Sequence, residues 1–145
     1  MRSSFDKGFK LTIGLEGKPV TDEGGFTIFG LASKWNKVNK DTTIEQAKVM
    51  YFKGYWTPAG CNDVPFPMDI CLFDSQVNPQ NDPKLPGGGN QEIMNQKPEN
   101  WEDYNLLRMI RYKNNSKPKY VDGHIMRVIK LSEQIKQLEK ENYHE

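Results

Sequence analysis

Glu16-Gly17-Lys18-Pro19-Val20-Thr21-Asp22-Glu23-Gly24-Gly25-Phe26-Thr27-Ile28-Phe29-Gly30 is where helical periodicity gives way to a short, glycine-broken segment. Residues 17–30 hold four glycines and one proline, and Gly24-Gly25 stands in the middle of an otherwise β-compatible run from Val20 to Phe29. That pattern predicts an irregular hairpin or small sheet with a tight turn at the glycine pair. Upstream, Phe5, Phe9 and Ile13 recur every four residues, as on one buried stripe of a helix from about Ser4 to Leu15, capped by Ser3 or Ser4. Glu16 continues that stripe, so its carboxylate is expected beside apolar surface at a helix C-terminus. Desolvation and the negative end of the helix dipole there both disfavour the ionised form. A carboxylic acid that keeps its proton near neutral pH is what general acid catalysis requires. Position alone also allows a solvent-facing glutamate at a frayed helix end.

Downstream of Gly30 the pattern becomes helical again. A helix is expected from near Leu31, carrying Trp35, with a turn at Asn39-Lys40-Asp41. Thr42 and Glu45 fit a capping box that opens a helix through Ala47, Met50, Tyr51 and Tyr55. Pro58 to Pro67 reads as a loop, and Pro67 to Asn78 as a strongly buried helix with Ile70, Phe73 and Val77 on one face. Residues 79–99 are rich in Pro, Gly and Asn, which predicts a long mobile surface loop over most of their length. Asn100 is placed to cap a helix from Trp101 to Lys113, with Asp103 as its third residue, and Asn114 to Lys119 forms a turn. A last helix, about Tyr120 to Asn142, carries Val121, Val128, Leu131, Ile135 and Leu138 at heptad-like spacing, with His124 in the gap. That seam suits packing within its own domain, a dimer or a docking partner. The fold class is mainly α with a small β-hairpin. We expect one domain over 1–145, with a core and hairpin in 1–78, a long loop in 79–99 and a helical part in 100–145.

Size and charge narrow the chemistry. A chain of 145 residues suits one domain with a real core. Twenty basic and nineteen acidic residues leave a net charge of +1, which gives no electrostatic case for nucleic acid. The N-terminus lacks the apolar run of a signal peptide and no segment approaches membrane-spanning length, so a cytoplasmic origin without membrane insertion is expected. Cys61 and Cys71 are in no metal spacing and are expected as free thiols. With only His124 and His144 and no HExxH or CxxC pattern, neither a metal nor a cofactor is expected. No G-x-S-x-G or phosphate-binding GK[ST] loop occurs either. Carboxylates, hydroxyls and aromatics remain.

Those groups suit glycoside hydrolysis, which needs a proton donor at the leaving oxygen and a second polar group that stabilises the sugar cation or activates water. Glu16 is the candidate donor. Asp22 as a carboxylate, or Thr27 through its hydroxyl, could hold a water opposite it once the hairpin folds back. Phe26, Phe29, Tyr51 and Tyr55 are candidate platforms for the apolar faces of sugar rings, and each also suits an ordinary core.

At this point the chain resembles the glycoside hydrolase 108 family of phage and bacterial lysozyme-like proteins. The family begins with an amphipathic helix ending in Glu-Gly-Gly, followed by a hairpin with Asp, Gly-Gly, Thr and a Gly-Ile step. Here Glu16-Gly17, Asp22, Gly24-Gly25, Thr27 and Gly30-Leu31 stand in that order. Tyr55-Trp56 matches the family's Tyr-Trp at a helix end, and Phe73-Asp74-Ser75-Gln76-Val77-Asn78 matches its Phe-Asp-x-x-Val-Asn. Gly123-His124-Ile125-Met126-Arg127-Val128 is similar to its Gly-Trp-x-x-Arg-Val helix. The chain departs from the family in a shorter hairpin segment, in Lys18-Pro19 after Gly17, in the Pro/Gly tract after Asn78, and in His124 for tryptophan.

The resemblance implies a lysozyme-like α+β fold and hydrolysis of the β-1,4 bond between N-acetylmuramic acid and N-acetylglucosamine in peptidoglycan. It implies Glu16 as catalytic acid, Asp22 or Thr27 as the second group, and Asn78 as a hydrogen-bond donor to a sugar N-acetyl group. The partner is then the peptidoglycan glycan strand. A phage lysis enzyme would reach the wall through a membrane pore, a virion component by injection, and the last helix could then serve virion docking or self-association. Two other readings stay open: a non-catalytic structural or wall-binding protein on the same scaffold, and a cysteine peptidase pairing Cys61 or Cys71 with His124.

Overall fold

The computed structural model describes residues 2–15, 19–79 and 89–143, with side chains described over 4–12, 19–79 and 89–141. Helix α1 spans Arg2–Leu15 and is followed by strands β1 (Val20–Asp22), β2 (Gly25–Ile28) and β3 (Leu31–Ala32). Helix α2 (Ile44–Tyr51) runs on into a π-helical turn at Phe52–Trp56, and a 3-10 turn follows at Cys61–Asp63. Helices α3 (Met68–Val77), α4 (Asn90–Asn95), α5 (Trp101–Asn115) and α6 (Pro118–Tyr143) complete the chain. The fold is mainly α with one small antiparallel sheet of order β1-β2-β3.

Helix α3 is the centre. Every residue from Met68 to Ser75 is buried, and α1, α4 and α5 all pack against it. The stripe of α1 runs through Phe5, Phe9 and Thr12, all buried. Phe5 sits edge-on to Phe52, Trp56 and Phe73 at centroid distances of 5.0, 5.4 and 5.7 Å. Rings in this geometry contribute about 0.5–1.5 kcal/mol per pair beyond the area they bury. Trp56 also donates its indole N–H to Asn62 Oδ1 at 2.9 Å, so its polar end is satisfied inside the core.

The heptad-like seam of α6 lies inside the chain. Val128, Leu131 and Ile135 are fully buried, where α6 meets α5 and α1. Trp101 Nε1 donates to Glu139 Oε1 at 3.2 Å and Asn105 Nδ2 to Ser132 Oγ at 3.0 Å, fixing α5 and α6 antiparallel. Among the described residues, no helix is long and apolar enough to cross a membrane. Cys61 and Cys71 are both free and buried.

Three local expectations are corrected. No helix starts at Leu31: Phe29 and Gly30 have φ of 51° and 76°, a two-residue turn that sends the chain back as β3. After it, Trp35 and Asn36 both donate their backbone N–H to Ala32 O at 3.0 Å, one helical turn that goes no further. The capping box is shifted by one residue. Thr43 Oγ1 accepts from Gln46 N at 3.1 Å and Gln46 Oε1 from Thr43 N at 2.9 Å. Thr42 Oγ1 instead accepts from Asn39 N at 2.9 Å, closing the preceding turn. Part of the expected loop at 79–99 is helical, because α4 buries Ile93 completely. The predicted cap of α5 is present, with Asn100 Oδ1 accepting from Asp103 N at 2.8 Å.

Candidate active site

The hairpin that follows α1 carries two of the candidate groups. Its register opposes Val20 to Thr27 and Asp22 to Gly25, and Thr27 to Ala32 on the next strand. Directly opposed residues share a face of a sheet, as do residues two apart on one strand. Asp22 and Thr27 therefore stand on the same face as diagonal neighbours, roughly 7 Å apart at the backbone. Phe26 and Ile28 point to the other face, where Ile28 and Leu31 are buried in the core and Phe26 packs at its edge.

The two groups differ in surroundings. Asp22 is exposed, and its Oδ1 accepts the backbone N–H of Gly24 at 2.8 Å, closing the turn. Thr27 is half-buried in the middle strand, between Val20 and Ala32. Glu16 lies outside the described residues. It is the first residue after α1, and β1 begins four positions later, at Val20.

The candidate aromatics are placed unequally. Tyr51 is fully buried, edge-on to Phe9 at 5.7 Å and to Phe73 at 5.9 Å. Its hydroxyl donates to the carbonyl oxygen of Phe29 in the β2–β3 turn. In this arrangement it offers no ring face to a ligand and instead ties the hairpin to α2. Tyr55 is half-buried, with its ring 5.2 Å from that of Tyr51. Phe26 is also half-buried, with its backbone N–H on Ser33 Oγ at 3.2 Å.

Asn78 caps the C-terminal end of α3, and its amide is oriented by Tyr112. The Tyr112 hydroxyl donates its proton to Asn78 O, and Arg108 Nη2 donates to the same hydroxyl at 3.0 Å. The phenol oxygen can then only accept from the Asn78 side chain, and Asn78 Nδ2 faces it at 3.2 Å.

Asp74, one turn before Asn78, is fully buried among cations. Arg108 Nη1 lies 2.8 Å from its Oδ2 and Arg127 Nη2 lies 2.9 Å from its Oδ1, with Arg127 Nε on Oδ2 at 3.2 Å. The Thr12 hydroxyl adds a long contact at 3.5 Å. Burial by itself would raise the Asp74 carboxyl, but Arg108 and then Arg127 outweigh it and hold the group below the usual carboxylate range. The two guanidinium groups were missed because Arg108 and Arg127 lie on distant helices with no local signal.

The Cys–His pairing finds no support in the described contacts. Burial pushes both the Cys61 and Cys71 thiols up, away from the reactive thiolate. His124 Nδ1 is 2.7 Å from Ser116 Oγ, and its ring lies tilted against that of Tyr112 with centroids 4.7 Å apart.

Residues 9–79 match the family model described as Glycosyl hydrolase 108. No curated protein and no solved structure matches the chain. The matched segment runs from the buried stripe of α1, across the hairpin with Asp22 and Thr27, to the residue after Asn78. Hydrolysis of a glycosidic bond is the chemistry that this family's description names. Over residues 9–79, this chain is similar to glycosyl hydrolase family 108.

Proposed function

We propose that this protein is a muramidase that cleaves the β-1,4 bond between N-acetylmuramic acid and N-acetylglucosamine in peptidoglycan. One observation carries the reading: Asp22 and Thr27 share one face of the hairpin that follows Glu16 directly, all within the family-matched segment. In this scheme Glu16 donates its proton to the bridging oxygen as the C–O bond breaks. The sugar left behind carries oxocarbenium-like charge, and the second group stabilises that charge or holds the water that attacks it. Glu16 then recovers a proton from that water or from solvent. The biological setting we favour is phage lysis, with the enzyme either released through a membrane pore or carried in a virion.

A second reading, a wall-binding protein without chemistry, draws on the Asp22 carboxylate, one oxygen of which already closes the hairpin turn. Release of reducing ends from purified peptidoglycan separates the two. Wild type is expected to release them and Glu16→Gln to lose at least about 10²-fold in rate, the scale of a missing general acid. Equal activity in both would remove Glu16 from the mechanism, and activity in neither would favour the binding reading.

A further inference from the structure

We propose that Trp35 is a stacking platform for an N-acetylated glycan bearing carboxylates, carried on the turn that follows the strand paired with Thr27; this rests on the glycan-hydrolase reading above and extends its substrate contacts. Three tryptophans occur in the chain. Trp56 and Trp101 are buried at 1% and 5% exposure, whereas Trp35 is 76% exposed. Leaving an indole in water forgoes the free energy of its burial.

The backbone that carries it is fixed. Ala32 O accepts from Trp35 N and Asn36 N at 3.0 Å and from Asn36 Nδ2 at 3.2 Å. Val38, buried, anchors the segment to the core three residues later. The ring is thus presented on an ordered turn, which lowers the entropy lost on binding. Ala32 is the cross-strand partner of Thr27, so the platform follows directly from the strand that borders the candidate catalytic face.

The surroundings select the ligand. Ser33, Lys34, Lys37, Asn39 and Lys40 are all exposed, so the sequence neighbours of Trp35 offer hydrogen-bonding and cationic groups. A protein partner would instead call for a contiguous apolar patch around the aromatic anchor. A pyranose offers an apolar face to the indole and hydroxyl or acetamido groups to the polar rim. Lys34 Nζ stands 5.1 Å from the Trp35 ring centroid, which places positive charge beside the platform for a lactyl or stem-peptide carboxylate, and Lys37 and Lys40 follow it in the same exposed segment.

Acrylamide quenching of tryptophan fluorescence reads this residue almost alone, because the other two indoles are buried. The full-length Glu16→Gln protein, which keeps substrate intact under the proposed mechanism, is titrated with soluble peptidoglycan fragments that retain their stem peptides. A neutral N-acetylglucosamine oligomer is titrated in parallel. The expected result is a severalfold lower quenching constant with the charged fragments, and a smaller drop with the neutral oligomer. The difference between the two should vanish at high salt, where Debye screening removes the lysine contribution. Trp35→Ala should lose about tenfold in retention on insoluble wall, Trp35→Phe less, both with unchanged melting. An unchanged quenching constant at saturating fragments, while wild type still releases reducing ends, would overturn the platform and leave the hydrolase intact. Protection of Trp35 without any release of reducing ends would keep the platform and sink the hydrolase. Equal protection by charged and neutral oligomers would remove the carboxylate from the assignment.

Discussion

Arg127 of α6 reaches Asp74 of α3 with Nη2 2.9 Å from Oδ1, and Arg108 of α5 holds the other carboxylate oxygen at 2.8 Å. Asp74 lies in the family-matched segment and both arginines lie beyond it. The matched residues therefore depend on the last two helices for the neutralisation of a fully buried charge. With Leu131 and Ile135 also in the shared core, a chain cut after residue 79 would leave both α3 and its carboxylate uncovered.

Asp74→Asn tests that dependence. It leaves two guanidinium groups facing a neutral amide, and loss of one partner of a buried ion pair costs about 3–5 kcal/mol. Urea denaturation at neutral pH should show a loss of this size. The carboxyl is held below its ordinary value in the folded state, so its contribution is complete above the unfolded pKa near 3.9 and disappears as pH falls further. The gap between wild type and variant should accordingly narrow in acid. A variant within about 1 kcal/mol of wild type at neutral pH would show the cluster to be dispensable.

Asp69 behaves in the opposite sense. It is 4% exposed near the start of α3, with Oδ1 accepting from Ile70 N at 2.8 Å. Burial pushes its carboxyl up to about 6. Between the unfolded value near 4 and this folded value, the native state holds a proton that the unfolded chain has released, so stability falls as pH rises through that window. Asp69→Asn should be more stable than wild type at pH 8 by roughly 1–3 kcal/mol, with the difference vanishing toward pH 4. Parallel stability–pH curves for the two proteins would refute the assignment.

How much of this was legible before the fold was known depended on range. The stripe of Phe5 and Phe9, the hairpin around Gly24-Gly25 and the Asn100 cap were readable because each rests on residues a few positions apart. The stretch after Leu31 was misread as helix because Ala32-Ser33-Lys34-Trp35 is compatible with one. The positive φ at Phe29, which a bulky residue rarely adopts, decided otherwise. The capping box was read at Thr42 and Glu45, but Thr42 Oγ1 is taken by Asn39 N in the preceding turn, and the box forms one residue on, at Thr43 and Gln46. The resemblance flagged Asp74 and Arg127 in separate motifs without pairing them, since nothing local couples positions 53 residues apart. Trp35 escaped as a ligand contact because a lone aromatic among lysines carries no periodic signal.

Tyr51→Phe probes the tie between α2 and the hairpin. The variant keeps the ring and its edge contacts with Phe9 and Phe73 but loses the hydroxyl bond to Phe29 O. Loss of this part-buried hydroxyl–carbonyl bond is expected to cost about 0.5–1.5 kcal/mol. Because Phe29 sits in the turn joining β2 to β3, hydrogen exchange of the β2–β3 amides should rise more than that of α5 and α6. Uniform acceleration across all helices would instead mark Tyr51 as a global core residue with no special hold on the hairpin.

The second catalytic group is decided by a pair of near-isosteric variants. Asp22→Asn keeps an acceptor for the Gly24 N–H, so the turn survives while the charge is removed. Thr27→Val keeps the β-branched shape in the middle strand and removes only the hydroxyl. Thr27 is flanked by strands on both sides and half-buried, whereas Asp22 is exposed at the turn with one oxygen engaged. The better-held group is the better candidate to position a water, since positioning depends on a side chain fixed by its surroundings. Thr27→Val is therefore expected to lower kcat on peptidoglycan by about 10²-fold with little change in KM, and Asp22→Asn by less than about 10-fold. Thr27→Ser, which restores the hydroxyl, should recover most of the loss. The reverse order, a large loss in Asp22→Asn and a small one in Thr27→Val, would transfer the role to the carboxylate and leave Thr27 as a strand residue that only packs beneath the substrate.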